Sequence, residues 1–209
     1  MGHSVIQPKQ ARKTALPTAR LPEKTARLLV RHCRHADVGE RLTGRGEDGG
    51  LTQAGQVEAA ELAERLAGDA VTVIYCSPRR RARETAAAIA DRHGLTVRIT
   101  EALDEIDFGP WTGQRFADLD GTPDWDRWNN ARATARVPGG ESMGEALARS
   151  RAFVEGVEAS GMAVFVTHCD IIRGLLCWRD GQSLGALFDY DVPPGSITEL
   201  RLPALEMVA

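Results

Sequence analysis

The sequence predicts an α/β protein, a three-layer α/β/α sandwich around a mostly parallel sheet. Short aliphatic runs bounded by charged or turn residues recur along the chain, and each is typical of a buried strand. Stretches with apolar residues at helical spacing lie between them, and strands that alternate with helices favour parallel pairing. The 209 residues, 43% hydrophobic and 26% charged, suffice for one such domain with a sizeable core.

Five runs are predicted as strands. They cover residues 27–32, 71–76, 96–100, 162–167 and 196–202. The first ends at Arg31 and His32, and the fourth runs into His168. Ligands bind at the carboxyl edge of open parallel sheets, so side chains at these strand ends are candidates for a shared site.

Helices are predicted between these strands. Thr52 is the expected N-cap of the first helix, and Gly68 its end. The second helix is expected to start with Ser77 as its cap and Pro78 at its first position, and to end at Gly94. Further helical patterns cover residues 144–158, 171–178 and 183–188.

Between residues 101 and 143 the regular patterns fade. A long irregular segment in a compact domain is usually a functional loop or a lid. Its large aromatic side chains either line a pocket or pack beneath the lid, and packing is the more frequent role. They are Phe108, Trp111, Trp125 and Trp128.

Residues 1–26 combine prolines and basic residues with little periodicity and are expected to form a flexible basic tail, while residues 27–209 form the domain.

Composition excludes several classes of protein. A net charge of -3 argues against nucleic-acid binding. The chain lacks both the roughly 18-residue apolar run of a membrane helix and the apolar core of a secretory signal, so we expect a cytoplasmic protein with no membrane partner. Its four cysteines lack zinc-site spacing, and we expect no metal or cofactor.

Cationic and imidazole groups are concentrated where the strands end. Arg31 and His32 follow the first strand, three arginines open the helix after the second, and His168 follows the fourth. Arginine beside the free N–H groups of a helix N-terminus suits an anion. Of these arginines, Arg79 and Arg80 are expected to face solvent.

Six sequence blocks occur in a specific order between about Leu28 and Leu202. They are Leu-Val-Arg31-His32-Cys33; Leu42-Thr-Gly-Arg45 with Leu51-Thr-Gln-Ala-Gly55; Ser77-Pro-Arg-Arg-Arg81-Ala82-Arg-Glu-Thr85-Ala86; Leu103-Asp-Glu105-Ile-Asp-Phe108-Gly109-Pro-Trp111-Thr-Gly113; Pro138-Gly-Gly-Glu141-Ser142; and Val166-Thr-His168-Cys-Asp170-Ile-Ile-Arg173. Together they resemble the histidine phosphatase superfamily, which includes the cofactor-dependent phosphoglycerate mutases. The resemblance implies a phosphoglycerate mutase-like fold.

The resemblance also implies a role for each site residue. His32 would be the nucleophile that becomes phosphohistidine, and Arg31, Arg81 and His168 would form the phosphate pocket. Glu105 matches the usual general acid for the leaving oxygen. Phosphoryl transfer needs these parts: neutralised oxygens, an in-line nucleophile and a proton for the departing alcohol. A carboxyl near arginines is normally ionised, so Glu105 must be desolvated or close to the phosphate dianion to keep its proton.

The chain departs from the family pattern at three positions. Cys33 and Cys169 stand where glycine usually follows each catalytic histidine, and nearby arginines are expected to lower the pKa of both thiols. Val38 replaces a polar residue that contacts phosphate, and His35 or Arg45 is expected to compensate. We therefore place His35, Arg45 and Cys169 among the substrate-binding residues.

The resemblance favours one activity and leaves two alternatives. The segment between Glu105 and His168 is short, and an open site favours water as the phosphoryl acceptor. We expect a phosphomonoesterase that hydrolyses a small phosphorylated metabolite, as a monomer or homodimer. A phosphoglycerate mutase is the second interpretation and a noncatalytic phospholigand-binding module the third. Sugar phosphates and α-ribazole phosphate are candidate substrates within the family.

Overall fold

A five-stranded sheet forms the centre of the protein. The computed structural model describes residues 26–47 and 49–202. The strands are β1 (Ala26–Arg31), β2 (Val71–Cys76), β3 (Val97–Ile99), β4 (Met162–Thr167) and β5 (Ile197–Glu199). Their spatial order is β3-β2-β4-β1-β5, and all neighbours are parallel except β1 and β5. The predicted α/β class with a mostly parallel sheet is therefore confirmed.

β1 and β4 lie side by side within the sheet, and apolar side chains fill most of both strands. Six of these side chains are fully buried: Leu29, Val30, Ala163, Val164, Phe165 and Val166. Near-continuous apolar runs of this kind are typical of strands covered on both faces. The register pairs Arg31 with Thr167 at the strand ends, so the residues that follow, His32 and His168, are brought together.

Helices cover both faces of the sheet. The α-helices are α1 (Gln53–Arg65), α2 (Arg80–His93), α3 (Phe116–Leu119), α4 (Pro123–Asn130), α5 (Met143–Gly156) and α6 (Cys169–Arg179). Apolar residues of α1 and α2 pack with Leu28 and Val30, whereas those of α5 and α6 pack with Leu29. Successive strand residues point to opposite faces, so the two clusters form separate layers and give the predicted sandwich.

The first helix begins as predicted and ends earlier. Thr52 caps α1, its hydroxyl accepting the N–H of Gly55 at 3.1 Å. The last helical residue is Arg65, and Gly68 lies in the turn that follows. Leu66 is the C-cap with an ordinary φ of -91°, so this end does not need the left-handed residue for which glycine is favoured.

The second helix starts after Arg79, whereas the sequence predicted Ser77 as its cap. The Ser77 hydroxyl is engaged elsewhere, 3.1 Å from Asp104 Oδ1 and 2.7 Å from a ring nitrogen of His168. It still accepts the backbone N–H of Arg79 at 3.3 Å, which holds the chain in a turn just before the helix. The predicted end is confirmed, because Gly94 closes α2 with a φ of 64°.

The segment with weak sequence patterns, residues 101–143, is a packed structure. It contains 3₁₀ turns at Glu101–Leu103 and Gly109–Trp111 as well as α3 and α4. Trp128 and Val137 are fully buried within the same core cluster as α5 and α6. The segment therefore covers the core as a well-packed cap.

The remaining predicted elements are present with shifted bounds. α5 starts one residue earlier than expected, after a capping box of Ser142 and Glu145, and α6 starts directly after His168. The expected short helix at 183–188 is a 3₁₀ turn, Leu184–Asp189, and β5 is shorter than the predicted strand.

Parts of the predicted domain organisation lie outside the described residues. These are the tail at 1–26, apart from Ala26, which begins β1, and the end of the domain at 203–209. Within 26–47 and 49–202, no helix has both the length and the apolar character needed to cross a bilayer.

Candidate active site

A cavity of about 440 Å³ opens where β1 ends. This volume lies within the roughly 300–1,000 Å³ typical of small-molecule sites. The sequence-predicted residues that line it are Arg31, His32, His35, Arg81, Glu105 and Cys169. The structure therefore brings most of the predicted site together.

His32 is almost completely buried directly after β1. Its Nδ1 lies 2.9 Å from the backbone carbonyl oxygen of Cys33. A carbonyl oxygen only accepts hydrogen bonds, so Nδ1 carries the proton and Nε2 keeps a free lone pair. Burial and the positive charge of Arg81 lower the pKa of His32 well below its ordinary value. The ring is therefore neutral near pH 7 and suited to nucleophilic attack.

Arg81 and His168 form a buried pair beside that ring. Arg81 is 1% exposed, and its Nη2 donates to the Gly44 carbonyl at 2.8 Å and contacts His168 Nδ1 at 3.1 Å. Because a guanidinium only donates, His168 Nδ1 is the acceptor. The ring centroids of His32 and His168 are 5.2 Å apart. His168 itself is fully buried and does not line the cavity, so it reaches the site through Arg81.

A hydrogen-bonded chain fixes the other side of His168. Its Nε2 lies 2.7 Å from the Ser77 hydroxyl, which in turn donates to Asp104 Oδ1 at 3.1 Å. Arg79 Nε lies 3.0 Å from the same carboxylate oxygen. The expectation that Arg79 faces solvent is therefore wrong, because its guanidinium is held inward by Asp104. Arg80 does face solvent, with a side chain 60% exposed.

Glu105 is a buried carboxyl that holds a proton near neutral pH. Its side chain is 12% exposed, and its Oε2 lies 3.8 Å from His168 Nδ1. Burial raises the pKa of Glu105 to about 7, and the negative charge of Asp170 adds to the increase. Arg81 acts in the opposite direction and is outweighed. The sequence analysis predicted that Glu105 keeps its proton only if it is desolvated or close to the phosphate dianion. The structure shows the desolvation.

Arg31 and Cys169 meet at a shared backbone carbonyl. Arg31 Nη1 donates to the Val192 oxygen at 2.6 Å, and the Cys169 sulfur lies 3.7 Å from it. The Nε of Arg31 is buried and has no hydrogen-bond partner among the described residues. This guanidinium therefore has a donor available at the cavity.

The two cysteines after the histidines differ in burial, since only Cys169 is partly exposed and reaches the cavity. Burial raises the pKa of Cys33 and of Cys169 to about 11, so the expected lowering by arginines is wrong. Cys33 is fully buried and lies outside the cavity wall, and its backbone N–H donates to the Thr85 hydroxyl at 2.9 Å. The Cys33 side chain is therefore a small packing residue, whereas Cys169 presents a neutral thiol to the cavity.

Arg45 does not line the cavity, although the sequence placed it among the substrate-binding residues. Its Nε donates to the Glu105 carbonyl at 2.8 Å, and its Nη2 donates to Glu141 Oε2 at 2.9 Å. The guanidinium is thus committed to holding the backbone that carries the carboxyl. His35 does line the cavity, with its ring centroid 5.2 Å from that of His32, so it alone of the two is placed to compensate for Val38.

The sequence missed a charged cluster on the cavity wall formed by Arg132, Asp170 and Arg173. Arg132 Nη1 donates to Asp170 Oδ2 at 2.8 Å, and Arg173 Nη1 lies 3.5 Å from Asp170 Oδ1. Burial acts to raise the pKa of Asp170, but the two arginines outweigh it and leave that pKa below its ordinary value. Asp170 and Arg173 lie three residues apart beyond His168, a spacing that marks one helix face. Nothing in the sequence around Arg132 singles it out.

The aromatic residues of the capping segment divide between the two predicted roles. Phe108 and Trp125 line the cavity. Trp111 and Trp128 are buried away from it and pack against their aromatic neighbours, with ring centroids 6.5 Å apart. Both predicted roles, lining a pocket and packing beneath the capping segment, are therefore found, each for two of the four residues.

The chain is similar to several known proteins. A putative phosphoserine phosphatase 2 from Hydrogenobacter thermophilus is 32% identical over 179 residues, which cover 83% of this chain and 88% of that protein. A probable phosphoglycerate mutase from Yersinia enterocolitica is 30% identical over 183 residues, covering 83% of this chain and 79% of the other. The native structure of a mycobacterial glucosyl-3-phosphoglycerate phosphatase superposes with a TM-score of 0.74 at 27% identity, covering 84% of this chain and 89% of that one.

A family model agrees with these likenesses. The model of the histidine phosphatase superfamily (branch 1) matches residues 28–206, well over half of the chain. That range includes every residue of the cavity described above. The chain therefore belongs to the histidine phosphatase superfamily, branch 1.

Proposed function

We propose that the chain hydrolyses small phosphomonoesters by transferring the phosphoryl group first to His32 and then to water. The observation that carries this proposal is the protonation pattern of one cavity. A neutral imidazole with a free Nε2 lies with two arginines, Arg31 and Arg81, and with a carboxyl whose pKa is about 7, Glu105. These are a nucleophile, an anion clamp and a proton donor.

The first half-reaction uses all three parts. His32 Nε2 forms a bond to phosphorus while the ester P–O bond breaks, and the proton of Glu105 passes to the departing oxygen. Arg31 and Arg81 neutralise the charge on the other phosphoryl oxygens. His168 accepts a hydrogen bond from Arg81 and so keeps that guanidinium oriented.

The second half-reaction returns the site to its starting state. Glu105, now ionised, takes a proton from water, and the water oxygen bonds to phosphorus as the His32 N–P bond breaks. Inorganic phosphate leaves, His32 is neutral again and Glu105 is protonated. A pKa of about 7 suits both halves of the cycle, because a carboxyl then gives and takes a proton at neutral pH with similar ease.

The family and the relatives support hydrolysis. The chain is a phosphoric monoester hydrolase of the histidine phosphatase type, which acts on a small phosphorylated metabolite. Relatives named for phosphoserine and glucosyl-3-phosphoglycerate favour substrates of that size. Phosphoglycerate mutase activity is the second candidate, because a relative with 30% identity carries that name. Interconversion of phosphoglycerates faster than release of phosphate would identify the mutase.

The test of the proposal is His32→Ala with p-nitrophenyl phosphate. We expect turnover to fall by a factor of at least about a thousand, because the nucleophile is lost. A histidine at the far end of α2 gives the matched control, and His93→Ala should keep most of the activity. An active His32→Ala protein would contradict the proposed nucleophile, provided that thermal unfolding shows both variants to be folded.

A further inference from the structure

We propose that the Arg132–Asp170–Arg173 cluster binds a carboxylate on the leaving group, so that the preferred substrates are phosphomonoesters of hydroxy acids. The inference rests on the proposed hydrolysis and specifies its substrate class. It concerns the two guanidiniums of the cluster, Arg132 and Arg173, which the proposed phosphoryl transfer does not use. Arg31, His32 and Arg81 serve the phosphoryl group, and a cavity of about 440 Å³ leaves room for the alcohol that carries it.

The charge of the cluster fits a single negative group. Two guanidiniums surround one carboxylate, Asp170, whose lowered pKa keeps it ionised. The net charge is therefore +1, which a carboxylate balances. A second phosphate group, with a charge near -2, would be balanced less well. Planar guanidinium groups also match the geometry of a carboxylate.

Both guanidiniums keep donors that the protein does not use. Arg173 Nε donates to the Tyr190 carbonyl at 3.0 Å and its Nη1 faces Asp170, while Nη2 has no partner in the described ranges. Arg132 is 7% exposed, and its buried Nε has no hydrogen-bond partner among the described residues. A buried donor without a partner is costly, and such groups usually have a functional reason.

A surface aromatic ring holds the two arginines side by side. The guanidinium carbons of Arg132 and Arg173 lie 5.2 Å and 5.5 Å from the ring centroid of Phe188. Phe188 lines the cavity and is 56% exposed, an unusual position for a large apolar side chain. Trp128 makes a second cation–π contact, with its ring centroid 4.8 Å from the guanidinium carbon of Arg132. Arg132 Nη2 also donates to Asn129 Oδ1 at 2.9 Å. The cluster is therefore ordered before a ligand arrives, which lowers the entropic cost of binding.

The experiment compares 3-phosphoglycerate with glycerol 3-phosphate, which has a hydroxymethyl group in place of the carboxylate. We expect the native enzyme to show a kcat/KM about tenfold to a hundredfold higher for the carboxylate, the size of one charge-assisted hydrogen-bonded contact. Arg173→Gln should remove most of that preference and change turnover of glycerol 3-phosphate and p-nitrophenyl phosphate less than threefold. Arg173→Lys should restore part of it, and Arg151→Gln, on the exposed side of α5, should leave it intact.

The same experiment can overturn the proposal in several ways. A native enzyme without preference, or an equal loss on all three substrates in Arg173→Gln, would contradict a carboxylate site. A larger preference for fructose 1,6-bisphosphate over fructose 6-phosphate, also lost in Arg173→Gln, would assign the cluster to phosphate instead. Hydrolysis of none of these esters would contradict the proposed function alone, because the site has a separate readout. Calorimetric binding of 3-phosphoglycerate to His32→Ala should still be tighter than that of glycerol 3-phosphate, and its absence would reject the site.

Discussion

Glu105 is the residue on which the proposed acid–base chemistry depends. Its pKa of about 7 results from burial and from Asp170, both of which act against the pull of Arg81. His32 is shifted the other way, since burial lowers the pKa of an imidazole as it raises that of a carboxyl. The two neutral forms coexist near pH 7, which is the combination of acid and nucleophile that the first half-reaction needs.

The first prediction concerns the pH dependence of kcat/KM for an alkyl phosphate. Glu105 must be protonated to donate, so kcat/KM should fall about tenfold per pH unit as the pH rises above about 7. Protonation of His32 should reduce activity only at a pH well below 6.5, because its pKa is lowered. The profile of Glu105→Gln with the same substrate is the control, since ionisation of the substrate then cancels. A native alkaline limb that persists in Glu105→Gln would assign it to another group.

The second prediction concerns the leaving group. Alkyl oxygens need a proton to depart, whereas p-nitrophenolate leaves without one. Glu105→Gln should therefore slow hydrolysis of glycerol 3-phosphate about a hundredfold or more, and the release of p-nitrophenol in the first turnover less than tenfold. Rapid mixing measures that first turnover. Equal slowing of both would show that Glu105 positions the substrate.

Sequence blocks placed the central residues of this site well, and the supporting contacts less well. Arg31, His32 and Glu105 follow directly from the order of the blocks. Arg45 also lies in one of these blocks, but only the fold shows that its guanidinium donates a hydrogen bond to the Glu105 carbonyl. Arg132 comes from the capping segment, and its approach to α6 depends on long-range packing that leaves no local pattern.

The loop that precedes α5 is the element that supports Glu105. Glu141 lies in this loop, and its Oε2 accepts hydrogen bonds from Arg45 and Arg149 at 2.9 Å and 3.1 Å. Both arginines also donate to the Glu105 carbonyl, at 2.8 Å and 3.0 Å. The loop approaches Asp107 so closely that a Cβ on Gly140 would lie 2.2 Å from its carbonyl oxygen. Glycine at this position therefore permits the contact that fixes the proposed general acid.

The third prediction is that Gly140→Ala destabilises the protein and disturbs catalysis together. The clash is with backbone, so the loop must move, at a cost of about 1–3 kcal/mol in the free energy of unfolding. We expect kcat for alkyl phosphates to fall several-fold more than that for p-nitrophenyl phosphate. Gly144→Ala in the first turn of α5 is the matched control, because a Cβ there meets nothing closer than 3.9 Å and alanine favours helix. Urea unfolding measures the free energy of unfolding of both variants. Equal stability of Gly140→Ala and Gly144→Ala would contradict the proposed clash.

Among the helices and strands, the sequence predicted long elements better than short ones. The strands with continuous aliphatic runs, β2 and β4, have the predicted bounds, since burial on both faces leaves a clear pattern. α3 and α4 are too short for helical periodicity to emerge. The start of α2 was misplaced because Ser77, a good capping residue, is used by His168 and Asp104 instead.

The whole molecule is built so that two strand ends stay in register. Core clusters on both faces of the sheet hold β1 and β4 together. Arg27 links β1 to the end of α5 by buried hydrogen bonds. Its Nε and Nη2 donate to the carbonyls of Val154 and Val157 at 2.8 Å and 2.7 Å. The sequence predicted the class and the parallel pairing. It did not predict the antiparallel β5, since three residues of strand carry no signal of direction.

The fourth prediction is that hydrolysis does not require a divalent metal. In the proposed mechanism Arg31 and Arg81, which line the cavity, neutralise the phosphoryl oxygens and supply the charge that a metal ion provides elsewhere. Within the described residues, no three His, Cys, Asp or Glu side chains form a group able to hold a metal ion. Activity on p-nitrophenyl phosphate should be unchanged by EDTA. A loss that magnesium restores would contradict the proposed clamp.

The central claim is that His32 carries the phosphoryl group between substrate and water. Glu105→Gln should form this intermediate from p-nitrophenyl phosphate, whose leaving group needs no acid, and hydrolyse it slowly, because the carboxylate that activates water is gone. The direct measurement is a rapid acid-free quench followed by peptide mapping of labelled phosphate. We predict a burst of close to one p-nitrophenol per site and acid-labile, alkali-stable phosphate on His32, both absent from the double variant with His32→Ala. Turnover with no label on His32, or label on another residue, would contradict the mechanism.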